Sequence, residues 1–114
     1  MRPLRPIECE HDGTLLRGKI ATPDGEGPFP TVLVMHSALG LHHMVGDTAR
    51  RLADLGYLAV ATDMYGADAD FSDDKKAGAF YQMLDENPGF LRDRCVTWFD
   101  HVAGLPQADA ARIA

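Results

Sequence analysis

At 114 residues the chain has room for one domain at most, residues 1–114, and its 46% hydrophobic and 25% charged content argues against a disordered chain. A formal net charge of -6, with no basic stripe to offset it, argues against a nucleic-acid partner. The longest apolar runs, residues 32–35 and 57–61, are far too short to cross a membrane, and residues 1–5 lack the apolar stretch of a secretory signal, so no membrane partner is expected and a cytoplasmic location is.

Residues 6–10 alternate apolar and polar and predict a short strand, and His11-Asp12-Gly13 supplies the hairpin turn. A second strand is predicted over 14–22, with Leu16, Gly18 and Ile20 on one face. Residues 23–28 form a turn-rich loop. From Thr31 to His36 the run is apolar and β-branched, as in a strand buried on both faces. Met44, Val45, Ala49, Leu52 and Ala53 are spaced for one face of a helix that Gly56 would end in the left-handed conformation. A second buried strand follows over 58–62, ended by Asp63. The two runs and the helix between them predict a βαβ unit, hence an α/β fold with a parallel pair and right-handed crossover.

Residues 65–74 read as loop, and the acidic run Asp68, Asp70, Asp73 and Asp74 as its solvated part. A helix is predicted over 75–84, broken at Asn87-Pro88-Gly89. The clearest helix comes next: Leu91, Cys95, Trp98, Phe99, Val102 and Leu105 form one apolar stripe, with Arg92, Asp93, Arg94, Asp100 and His101 outside it. Trp98 is then a core anchor between helix and sheet. Cys9 and Cys95 lack metal or redox spacing and read as buried free thiols.

The segment Pro30-Thr31-Val32-Leu33-Val34-Met35-His36-Ser37-Ala38-Leu39-Gly40-Leu41 is followed by Ala49-Arg50-Arg51-Leu52-Ala53-Asp54-Leu55-Gly56-Tyr57 and Asp63-Met64-Tyr65-Gly66. In this order, and with the closing Asp109-Ala110-Ala111-Arg112-Ile113-Ala114, the chain resembles the dienelactone hydrolase family of α/β-hydrolases over nearly its whole length. The resemblance implies the N-terminal part of an α/β-hydrolase fold and a carboxylic ester or lactone hydrolase that needs no cofactor and no metal. It also implies that the strand beginning at Arg112 runs into a nucleophile elbow of the type G-x-C-x-G, with the acid and histidine of the triad later still. Neither G-x-C-x-G nor G-x-S-x-G occurs in the 114 residues. What the resemblance leaves here is half of an oxyanion hole, the backbone of Ser37 or Ala38 in the loop after the third strand. Family members typically carry glutamate where this chain has Ser37, a departure that argues against dienelactone itself as the substrate. Ser37 and Leu39, together with Lys75 and Lys76 where the family places a basic residue, are the expected substrate-binding positions.

Each of these residues also has a plainer reading. Ser37 lacks the elbow that would make it a nucleophile, and His36 points to the other side of the strand. His36, His42 and His43 match no zinc spacing and read as loop polarity and packing. Lys75 and Lys76 also read as a solvated helix start, Asp63 as the cap of its own turn. Cys9 has no evident base to make it a nucleophile. Because the fifth strand is expected to contribute only its first residues, the apolar edge at residues 32–36 is expected to lie bare and to drive self-association unless a C-terminal half covers it. The sequence thus reads as a fragment of an ester hydrolase, a non-catalytic remnant, or one chain of a split enzyme.

Overall fold

Period-two alternation places Ile7, Cys9, Leu16, Gly18 and Ile20 on one face of an antiparallel hairpin, β1 (Arg5–His11) with β2 (Thr14–Ala21), in which Cys9 faces Leu16 and Ile7 faces Gly18. The computed structural model describes residues 2–67, 69 and 73–114. β3 (Phe29–Met35), α1 (His43–Asp54) and β4 (Leu58–Thr62) form the βαβ unit, with β3 and β4 parallel and Leu33 opposite Val60. α2 (Asp74–Glu86), α3 (Pro88–Ala103) and β5 (Ala108–Ile113) complete the described elements. The mixed five-stranded sheet runs β1-β2-β4-β3-β5, with β2 antiparallel to β4 and β5 parallel to β3.

β4 lies inside the sheet with both faces covered, and every residue of it is buried. Leu58 and Val60 turn towards α3 and join the core around Trp98 and Val102. Ala59 and Ala61 turn towards α1 and meet Val45, Ala49 and Ala53, small side chains that let the helix lie close. The end of α1 fits the expectation for Gly56, whose φ of 102° lets its N–H reach Ala53 O and the Tyr57 N–H reach Leu52 O. Pro30 lies inside β3, at the register shift between Phe29 and Thr31, where its missing N–H breaks no regular ladder.

Several expectations are corrected. The fifth strand begins at Ala108 rather than Arg112; its alanine-rich start carries no strand signal of its own and is set by pairing with Phe29. The edge of β3 is therefore covered as far as Leu33, whose N–H donates to Ala114 O, and only its C-terminal end extends past β5. Arg94, placed outside the apolar stripe of α3, is 2% exposed and faces the core, while Phe99 within the stripe is 40% exposed and Leu105 lies past the helix end. Asp73 caps α2 by accepting from the Lys76 N–H at 2.8 Å, and Asp74 begins the helix, so both belong to α2; Asp68 and Asp70 lie outside the described residues. Both cysteines are free, Cys9 buried and Cys95 half-buried. Among the described residues no helix is long and apolar enough to cross a membrane.

A Cβ at Gly18 would run into the Ala61 carbonyl oxygen and stand 3.0 Å from the Trp98 ring, so the hairpin can approach β4 and α3 only with glycine there. Gly18→Ala is expected to lower unfolding free energy by about 1–3 kcal/mol, the usual cost of overpacking. Urea denaturation checks this, and an unchanged midpoint would contradict it.

Candidate active site

β3 and β4 end side by side, Met35 opposite Thr62, so the residues that follow each strand face one another across one rim of the sheet. After β4, Asp63 folds its carboxylate back over its own turn, accepting from the Tyr65 N–H through Oδ1 and the Gly66 N–H through Oδ2, both at 2.9 Å. This is the capping role expected for it. Its carbonyl oxygen accepts from Trp98 Nε1 at 2.8 Å, which ties the turn to α3. Burial pushes the Asp63 carboxyl up, but the hydrogen bonds it accepts from the Tyr65 and Gly66 amides help to hold it below its usual range.

After β3, the His36 ring turns inward, its side chain 2% exposed, while Ser37 is exposed. Nδ1 lies 2.6 Å from Ser37 O, a carbonyl that can only accept, so Nδ1 carries the proton. Nε2 then accepts from the Met64 N–H at 2.9 Å, and both ring nitrogens are satisfied in the neutral tautomer. Asp63 Oδ1 lies 3.6 Å from Nε2, beyond hydrogen-bond range. The loop closes on itself: the Gly40 N–H donates to Ser37 O at 3.1 Å and the Leu39 N–H to Ser37 Oγ at 3.3 Å. Tyr65 donates its phenol to Ala38 O at 2.7 Å, and its ring packs edge-on to His36 at 4.7 Å and stacks on Phe80 at 5.2 Å. The N–H groups of Ser37 and Ala38 have no acceptor among the described residues.

Beside this loop lies a cavity of about 230 Å³, walled by Met35, His36, Ser37, Met64, Tyr65 and, from the helices, Tyr81, Leu84, Asp85, Leu91 and Cys95. Of the sequence-predicted residues, Ser37 lines it. Ala38 is half-buried and held by Tyr65, and Leu39, 52% exposed, lines a neighbouring depression with Val34 and His42. Lys75 and Lys76 are exposed in the first turn of α2 and do not line the cavity. His42 accepts from the Met44 N–H as the cap of α1, and among the described residues no three His, Cys, Asp or Glu side chains are grouped to hold a metal.

Two side chains gain roles that local pattern did not show. Tyr65 reaches a carbonyl 27 residues away, and only the parallel register of β3 and β4 brings them together. Buried Arg94 donates to Met64 O at 2.8 Å and Tyr65 O at 3.3 Å from Nη1, and to His11 Nδ1 at 3.1 Å from Nε, with its guanidinium 4.4 Å from the Phe90 ring centroid. It fixes the β4 turn from behind; its position three residues after Leu91 and four before Trp98 was the available signal. The thiols are poorly placed as nucleophiles: burial pushes Cys9 up to about 11 and raises Cys95 as well.

The sequence profile of the dienelactone hydrolase family matches residues 16–114. The chain belongs to that family. A protein of Methylorubrum extorquens provisionally named carboxymethylenebutenolidase is 46% identical over 52 residues, which cover 46% of this chain and 18% of that protein. One of the same provisional name from Yersinia pestis is 42% identical over 62 residues, covering 54% and 23%. The crystal structure of a dienelactone hydrolase-like promiscuous phosphotriesterase from metagenomic libraries superposes with a TM-score of 0.89 at 29% identity, covering 97% of this chain and 46% of that one. The chain thus spans less than half of the family structure it matches, and its α/β-hydrolase fold is the N-terminal part of the family fold.

Because the carboxyl of Asp63 is held low in the folded chain, it adds stability above the ordinary carboxylate pKa of 3.8, and that stability is lost as pH falls through the lower folded value. Asp63→Asn is expected to destabilise most at neutral pH, with the difference from wild type shrinking below about pH 4. Urea midpoints measured between pH 7 and pH 3 test this; a difference that grows towards acid would contradict it. Both native thiols are expected to react slowly with iodoacetamide at pH 8, where rapid labelling of Cys9 would overturn the reading of a buried, protonated thiol.

Proposed function

We propose that the chain supplies the oxyanion-hole side and part of the acyl pocket of a carboxylic ester or lactone hydrolase, whose nucleophile, acid and histidine come from residues outside these 114. One observation carries this reading: the loop after β3 leaves the Ser37 and Ala38 N–H groups without an acceptor among the described residues, beside a mainly apolar cavity. Membership of a hydrolase family supports it. In acyl transfer the nucleophile attacks the ester carbonyl carbon, the carbonyl oxygen takes up negative charge, and fixed N–H donors stabilise that charge as it forms. Collapse of the intermediate expels the alcohol and leaves an acyl-enzyme that water then hydrolyses. The walls formed by Met35, Met64, Leu84 and Leu91 suit an apolar acyl or alcohol group.

The 114 residues alone are expected to show no nucleophile-dependent turnover of p-nitrophenyl esters, and such turnover would contradict the reading. The coding sequence after Ala114 is expected to carry G-x-C-x-G or G-x-S-x-G within about a dozen residues; a stop codon there would overturn the single-chain form of the proposal. In the hydrolase that carries this chain, Ala38→Pro removes one donor and is expected to lower kcat roughly a hundredfold to a thousandfold. An unchanged kcat would exclude Ala38 as the donor.

A further inference from the structure

The geometry points to His36 and Tyr65 as positioning residues that hold Ala38 so that its amide is aimed, an inference that rests on the oxyanion-hole reading above. A trans peptide is planar, with its C=O and N–H pointing in opposite directions, so whatever fixes a carbonyl also fixes the next residue's N–H. The peptide joining Ser37 to Ala38 is fixed in this way. Its carbonyl oxygen receives the His36 Nδ1–H at 2.6 Å and the Gly40 N–H at 3.1 Å, so the Ala38 N–H is turned away from the buried histidine. The next peptide carries the Leu39 N–H, which is turned back onto Ser37 Oγ at 3.3 Å, and its Ala38 carbonyl takes the Tyr65 phenol at 2.7 Å, so Ala38 is held by the peptides on both of its sides. Both oxygens are held from the protein side.

The holders are themselves held. His36 keeps its proton on Nδ1 because Nε2 already accepts from the Met64 N–H, and its ring packs against Tyr65. Tyr65 is 5% exposed, stacked on Phe80 and fixed through its main chain by Asp63 and Arg94. Burial keeps its phenol protonated, so it remains a donor across the working pH range of a hydrolase. Donors aimed before the charge develops need no reorganisation in the transition state, whereas a loop free to rotate would have to be ordered at that step. A ground-state ester gains much less from this alignment than the oxyanion does, so losing it should appear in kcat rather than in KM.

The test uses the hydrolase that carries this chain, with a neutral p-nitrophenyl ester as substrate and thermal melting as a check on folding. Tyr65→Phe removes one hydroxyl and keeps the ring; His36→Phe removes both ring nitrogens; His36→Asn keeps a donor near the Nδ1 position. Tyr65→Phe and His36→Phe are expected to lower kcat roughly tenfold or more with KM within about twofold, and His36→Asn to lose less than His36→Phe. A wild-type kcat in a folded Tyr65→Phe, or a rise in KM with kcat unchanged, would overturn the proposal, even if His36→Phe does not fold. Ala38→Pro separates this result from failure of the underlying reading. If Ala38→Pro lowers kcat as expected while Tyr65→Phe and His36→Phe, both folded, do not, the donor stands and the positioning role falls; if Ala38→Pro is also without effect, the oxyanion-hole reading itself falls.

Discussion

Asp63 stands at the C-terminal end of β4, and the site depends on how its turn is held. The carboxylate closes the turn on the Tyr65 and Gly66 amides, and the carbonyl anchors Trp98 of α3. With the turn closed, the Met64 N–H is presented to His36 and the Tyr65 ring to the loop after β3. Burying a carboxylate is costly unless hydrogen bonds replace its water, and here two backbone amides supply them to its charged form. The turn is rigid because it is buried and satisfied, and it passes that rigidity to its neighbours.

Arg94 completes the frame from the other side. A buried guanidinium needs acceptors, and the carbonyls of Met64 and Tyr65 provide them along with His11 of the hairpin. α3, the end of β1 and the β4 turn therefore meet at one side chain. Replacing a buried partner in such a network leaves the others unpaired, and that explains why an arginine, rather than an apolar residue, can occupy a core position of the helix.

The hairpin, the βαβ unit and the end of α1 were legible in the sequence because each is written in short-range terms: alternation, a β-branched run, helical spacing, and a glycine able to take positive φ. The start of β5 was not legible. Ala108 to Ala111 has no strand character of its own: Ala108 pairs with Phe29 and Ile113 with Thr31, and the residues between them cross the register shift. The charge of Arg94 reads as exposure, although its spacing puts it on the same helix face as Leu91 and Trp98. The loop at Ser37 and Ala38 could be found from resemblance to the family, whereas its link to Tyr65 follows from strand register, which local sequence does not report.

On the oxyanion-hole proposal, the loop after β3 presents a pre-aimed amide to a developing oxyanion. The direct test is a crystal structure of the proposed full-length hydrolase, trapped with a phosphonate ester that mimics the tetrahedral intermediate. A phosphonyl oxygen is expected about 2.7–3.1 Å from the Ala38 nitrogen, with His36 and Tyr65 still on the carbonyls of Ser37 and Ala38. A phosphonyl oxygen held by other donors, with the Ala38 N–H turned away from it, would contradict the oxyanion-hole proposal.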